Sequence, residues 1–103
     1  MTTITGPAPQ VLLIVTYDVG EEDREAFERI AGAHVAASDT YPGCLRFSLG
    51  RDVLHPGRYQ LVEQWRTQAD LDGHAASDAF RTTQAALAAC RTLQVRPDRY
   101  EIA

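Results

Sequence analysis

Residues 59–80 read YQLVEQWRTQADLDGHAASDAF, and the period of their pattern changes partway along. Tyr59, Leu61, Glu63 and Trp65 alternate with Gln60, Val62 and Gln64, the two-residue repeat of a strand. Thr67 and Asp70 then have the spacing of a helix capping box, and Leu71, His74 and Ala75 recur at helical spacing behind it. Ser77 restarts or kinks the helix. Phe80, Thr83, Gln84, Leu87 and Ala88 carry the inner stripe on to about Cys90. A strand whose inner face holds Glu63 and Trp65 therefore feeds directly into helices whose inner faces hold His74 and Gln84.

Upstream, His55-Pro56-Gly57 forms a loop, and Cys44 to Arg51 alternates again, with Leu45, Phe47 and Leu49 on one side and Arg46 and Ser48 on the other. The two strands predict a hairpin with a long loop. Tyr41-Pro42-Gly43 is a turn. Before it, Phe27, Ile30, Ala31, His34, Val35 and Ser38 mark the buried stripe of a helix over about residues 22–40, with Arg24, Glu28 and Arg29 outside. Acidic residues Glu21 to Glu25 suit the positive end of that helix. Val11 to Val19 is apolar on both faces and reads as a central strand. At the other end, Leu93 to Val95 and Tyr100 to Ile102 flank Pro97, which places the last strand at an edge or interrupts it.

The expected organisation is a flexible N-terminus, residues 1–9, and a single domain, residues 10–103. The order strand, helix, strand, strand, helix, strand predicts an α+β fold, ferredoxin-like βαββαβ, with helices on one face of an antiparallel sheet. The other face carries Leu12, Ile14 and Val62 with nothing in the chain to cover them, so a homodimer packed sheet to sheet is expected.

Composition narrows the function classes. The net charge is −4, all ten bases are arginine, and no basic stripe suits nucleic acid. No run of about 20 apolar residues suits a membrane span, and the start of the chain lacks the charged and apolar regions of a signal peptide, so a cytoplasmic protein is expected. Cys44 and Cys90 read as free, half-buried thiols. There is no phosphate loop, no nucleophile elbow and no carboxylate or histidine group with metal spacing, so no metal or cofactor is expected.

What remains is a set of aromatic and polar residues converging between sheet and helices. Glu63-Gln64-Trp65, then Leu71 and His74, then Ser77 and Phe80, resembles the E-x-W…L-x-x-H…S/T-x-x-F pattern of the antibiotic biosynthesis monooxygenase superfamily, and Pro42-Gly43-Cys44-Leu45 resembles its turn and strand entry. The resemblance spans about residues 10–95. It implies a dimeric α+β barrel with a hydrophobic cavity in each subunit. For several members it also implies cofactor-independent oxidation of a quinol, anthrone or similar electron-rich aromatic by dioxygen, in which the substrate supplies the electrons and the protein binds it, excludes water and eases its deprotonation. On that basis His74 and His34 are the candidate catalytic residues. Trp65, Tyr59, Glu63, Phe80, Gln84 and Phe47 are the candidate substrate contacts.

Each also has a purely structural explanation: Trp65 as core, Glu63 as a paired fold-stabilising carboxylate, the histidines as satisfied interior groups, and Tyr59 or Tyr17 as a phenol bonded to backbone. Ala79 stands where quinol-oxidising relatives carry a second histidine. The strand-one asparagine, the tryptophan at position 74 and the histidine at position 84 of haem-degrading relatives are all absent, which disfavours haem degradation. An isomerase on the same fold, or a non-catalytic small-molecule-binding or stress-response module, remain the alternatives to a monooxygenase.

Overall fold

The computed structural model describes residues 8–103; of the expected flexible N-terminus, only Ala8 and Pro9 fall within it, and the rest lies outside the described residues. Four strands, β1 (Gln10–Val19), β2 (Cys44–Arg51), β3 (Arg58–Trp65) and β4 (Leu93–Ile102), form one antiparallel sheet in the order β2-β3-β1-β4. Helices α1 (Arg24–Ser38), α2 (Gln68–Ala75) and α3 (Asp78–Leu87) complete the ferredoxin-like α+β fold. β1 is central, as its two apolar faces require. β4 is one continuous edge strand, and Pro97 sits opposite Val15 without breaking it.

Helix α1 starts later than its acidic run suggests. Glu21–Asp23 form a 3-10 turn whose Asp23 carboxylate accepts from both the backbone N–H and the hydroxyl of Thr92, tying this corner to the start of β4. The buried stripe is Phe27, Ala31, His34 and Ser38. Arg24 and Glu28, expected outside, are instead half-buried and used. The Arg24 guanidinium donates to the carbonyl of Val19, and Glu28 accepts from the Tyr59 hydroxyl at 2.6 Å and from Arg51. Thr67 and Ser77 each cap a helix, their hydroxyls accepting from the backbone N–H of Asp70 and Phe80, so the restart at Ser77 is a full break between α2 and α3.

The alternation expected in β2 fails at its first turn. A bulge between Cys44 and Arg46 puts Cys44 opposite Trp65 and leaves Leu45 51% exposed, while Phe47 and Leu49 keep the inward register. The core on the helix side is built on Phe27, which is fully buried between Tyr17 and Tyr59 at ring-centroid distances of 5.0 and 4.7 Å.

Candidate functional site

Between the sheet and helices α1 and α3 lies a cavity of about 190 Å³. Leu13, Val15 and Leu61 form its floor and Ala31, Phe80 and Leu87 its roof, with Val95 and Pro97 of the edge strand at its open side. These walls are apolar. The polar groups that reach it are few: Tyr17, His34, Glu63, Thr83 and Gln84. The five come from β1, α1, β3 and α3, so the site exists only once the sheet and both helices have assembled.

Four of the sequence-derived candidates therefore line the cavity: His34, Glu63, Phe80 and Gln84. The other four, Tyr59, Trp65, His74 and Phe47, do not. Tyr59 points instead to Phe27 and Glu28. Trp65 is fully buried and its indole N–H donates to a Glu63 carboxylate oxygen at 3.0 Å, which identifies the partner of that buried acid. His74, 2% exposed, is boxed by the rings of Trp65, Tyr41, Phe47 and His34 at centroid distances of 4.9 to 5.5 Å, with Phe80 just beyond. Phe47 meets the edges of both histidines and of Trp65. Trp65, His74 and Phe47 form a layer behind the cavity wall, against Glu63 and His34 that face it, and Tyr59 belongs to the core around Phe27.

Electrostatics follow burial. The Glu63 carboxyl is pushed above the usual carboxylate range by desolvation, against a smaller downward pull from the Trp65 N–H. Tyr17 is pushed up to about 12, first by burial and then by the negative charge of Glu63. Burial lowers His34. It lowers His74 further, to about 4, with the neighbouring His34 adding to the effect. At neutral pH both imidazoles are uncharged, and the carboxyl on the cavity wall is that of Glu63.

Two residues not singled out as candidates join this set. Ser38 Oγ lies 3.0 Å from Nε2 of His74 and 3.5 Å from Nε2 of His34, and Thr83 Oγ1 lies 3.0 Å from Nδ1 of His34. Both were visible as polar positions on otherwise apolar stripes, Ser38 one helical turn beyond His34. Among the described residues no group of three or more His, Cys, Asp or Glu is placed to hold a metal ion, and no helix is long and apolar enough to cross a membrane.

Comparison with known proteins agrees with this architecture. A Pseudomonas aeruginosa protein is 29% identical over 96% of this chain and 99% of its own, with a TM-score of 0.84. A Deinococcus radiodurans protein described as a candidate antibiotic biosynthesis monooxygenase is 19% identical over 90% and 92% of the two chains, with a TM-score of 0.85. A Bacteroides thetaiotaomicron protein described as a possible oxidoreductase is 18% identical over 91% and 98%, also with a TM-score of 0.85. No curated protein matches. The family model for antibiotic biosynthesis monooxygenases matches residues 10–86, most of the domain and every element that builds the cavity except β4, and the chain belongs to that family.

Proposed function

We propose that this chain binds a quinol of a single aromatic ring and oxidises it with dioxygen without a bound cofactor, working as a homodimer. The observation that carries this is the small apolar cavity with one basic carboxylate and one neutral imidazole on its wall. Size restricts the substrate: a cavity of ~150 Å³ accepts benzene, so about 190 Å³ suits one substituted ring and is too tight for a three-ring anthrone. Anthrones therefore drop behind quinols among the substrates that the family resemblance implies.

Glu63 takes the proton of one quinol hydroxyl. Its raised pKa brings it closer to that of a phenol than an ordinary carboxylate would be, which eases the transfer. The His34 ring stands on the wall beside the quinol, its two nitrogens engaged by Thr83 and Ser38. The quinolate then supplies the electrons: one oxygen atom enters the ring, the other leaves as water, and the product is a hydroxyquinone. Apolar walls keep the anionic intermediate away from bulk water. Across the sheet, Leu12, Ile14, Val62, Tyr100 and Ile102 form the face that a second copy covers, Tyr100 and Ile102 being 50% and 39% exposed in the single chain.

The test is oxygen uptake with reduced benzoquinones, naphthoquinones and anthrone, with the wild type and with Glu63→Gln. The expected result is uptake fastest with the one-ring quinols, a hydroxylated product, and loss of at least ~100-fold in rate in Glu63→Gln, the scale of general-base catalysis. Rearranged product without uptake would replace this reading with an isomerase. No uptake, together with no rise in melting temperature from any aromatic, would replace it with a non-catalytic module. Sedimentation at micromolar concentration tests the dimer, and a species of one chain's mass, 11.4 kDa, refutes it.

A further inference from the structure

The side chains behind the cavity wall form a directed chain of hydrogen bonds. The Thr83 hydroxyl donates its one proton to the Ala79 carbonyl at 3.0 Å, one turn back along α3. It can then only accept from His34, so Nδ1 of His34 carries a proton and, in the neutral ring, Nε2 is bare. Ser38 stands between the two Nε2 atoms with a single proton of its own. Satisfying His34 requires Ser38 to donate to it, so Ser38 must accept from His74, whose Nε2 therefore carries the proton. That leaves Nδ1 of His74 bare. It is the one fully buried side-chain nitrogen or oxygen without a partner among the described residues.

We infer that Ser38 is a positioning residue that joins His74 and His34 into a single relay, fixing opposite tautomers in the two rings and letting them share one proton through its hydroxyl. A proton that reaches Nδ1 of His74 lets the proton on Nε2 pass to Ser38 Oγ, while the hydroxyl proton of Ser38 passes to Nε2 of His34. One proton enters and none is lost. Ser38 ends neutral, His74 ends neutral as the opposite tautomer, and His34 becomes the imidazolium, its charge on the cavity wall and its two N–H groups on Thr83 and Ser38. The pair resists a second proton more than a first, because two imidazolium rings 5.2 Å apart would share one buried box.

Other titratable groups around the pair leave this relay in control. Glu63 on β3 is held by Trp65, Tyr17 on β1 stays protonated, and the Tyr41 hydroxyl donates to the Gly73 carbonyl. On α2, Asp70 is engaged by Thr67 and Arg66 and Asp72 by Gln68. On α3, Asp78 pairs with Arg81, and on α1, Glu28 pairs with Arg51 and Tyr59.

The relay's use in turnover rests on the proposed reaction, but its existence is tested without it. In nitrogen-15 spectra of histidine side chains at neutral pH, the bare nitrogen should be Nε2 in His34 and Nδ1 in His74, and both rings should respond to the same first protonation on acidification. In Ser38→Ala, His34 should keep its Nδ1 proton, since Thr83 remains, whereas His74 should average between tautomers. Ser38→Thr, which keeps the hydroxyl, should restore the wild-type pattern. A proton on Nδ1 of wild-type His74, two unrelated titration midpoints, or an unchanged His74 tautomer in Ser38→Ala would each overturn the relay. Oxygen uptake that fails with every quinol while the spectra match would overturn the reaction and leave the relay standing.

Discussion

The neutrality of His74 has a thermodynamic consequence large enough to measure. In the unfolded chain its imidazole protonates near its ordinary value of 6.5, and in the folded protein only at about 4, because burial first, and His34 second, oppose the charge. Between those values the unfolded state holds a proton that the folded state does not. Stability contributed by His74 is therefore complete above pH 6.5, falls as the pH drops, and is exhausted near pH 4. At ~1.4 kcal/mol per pKa unit the interval places about 3 kcal/mol on this one ring. Its 2% exposure means that solvent screening takes little away. The experiment is urea unfolding of the wild type and of His74→Asn at pH 7.5 and pH 4. Asp18, Asp23, Glu28 and Asp52, held below the usual carboxylate range by hydrogen bonds, also lose stability in acid. Glu63, raised by burial, works in the opposite direction. All five are common to both proteins and cancel in the difference, which leaves the proton taken up by the coupled His74 and His34 pair. The stability gap between wild type and variant should narrow by about 3 kcal/mol from pH 7.5 to pH 4. A gap that changes by less than ~1 kcal/mol would refute the argument, since His74 would then carry its charge as easily folded as unfolded.

Three further outcomes follow from the packing. Phe27→Ala empties the fully buried centre between Tyr17 and Tyr59 and should cost about 3–5 kcal/mol in urea unfolding. Tyr59→Phe removes the 2.6 Å bond to Glu28, whose side chain is 35% exposed, so melting should register a loss of only ~1 kcal/mol, with oxygen uptake unchanged because the ring lies outside the cavity. Gly57→Ala sets a side chain at a φ of +83°, with its Cβ 2.4 Å from the Val19 carbonyl oxygen; the backbone conformation alone costs ~1–2 kcal/mol, and calorimetry should show at least that loss.

Most of the fold was legible because each element announces itself by period. The switch from alternation in 59–65 to helical spacing after Thr67, the two hydroxyl caps and Pro97 at a strand edge all appear where local chemistry demands them. The misreadings share one cause: a single extra residue or one long-range bond overrides local pattern. The bulge at Cys44 turns Leu45 outward, which alternation cannot foresee. Arg24 and Glu28 look solvent-facing on a helical wheel and are drawn into use by Val19 and Tyr59, partners set by tertiary approach. For the candidate site, the set of residues was legible and its layering was not. Period places Trp65, Glu63 and His74 on inner faces, but which inner residue meets empty space and which meets another side chain depends on depth, a quantity that no spacing rule contains.

That layering explains what the motif residues do together. Trp65 and His74 do not line the cavity, yet each holds one of the polar groups on its wall: Trp65 fixes a Glu63 oxygen through its indole N–H, and His74 is joined through Ser38 to Nε2 of His34. A carboxylate in apolar surroundings with no donor would be forced neutral and lost as a base, whereas one surrounded by donors would be too weak to take a phenol's proton. One N–H is the compromise. It pulls the Glu63 carboxyl down against the larger upward push of desolvation, and in the proposed reaction the second oxygen takes the substrate's proton. The same economy governs the histidines. Two hydroxyls, Ser38 and Thr83, satisfy three of the four ring nitrogens, and the one left bare is the buried Nδ1 of His74. The strand-to-helix unit at 59–80 thus supplies Leu61, Glu63 and Phe80 to the wall of the cavity and, in Trp65 and His74, the groups that bond to it from behind, while the other elements supply the rest of the wall.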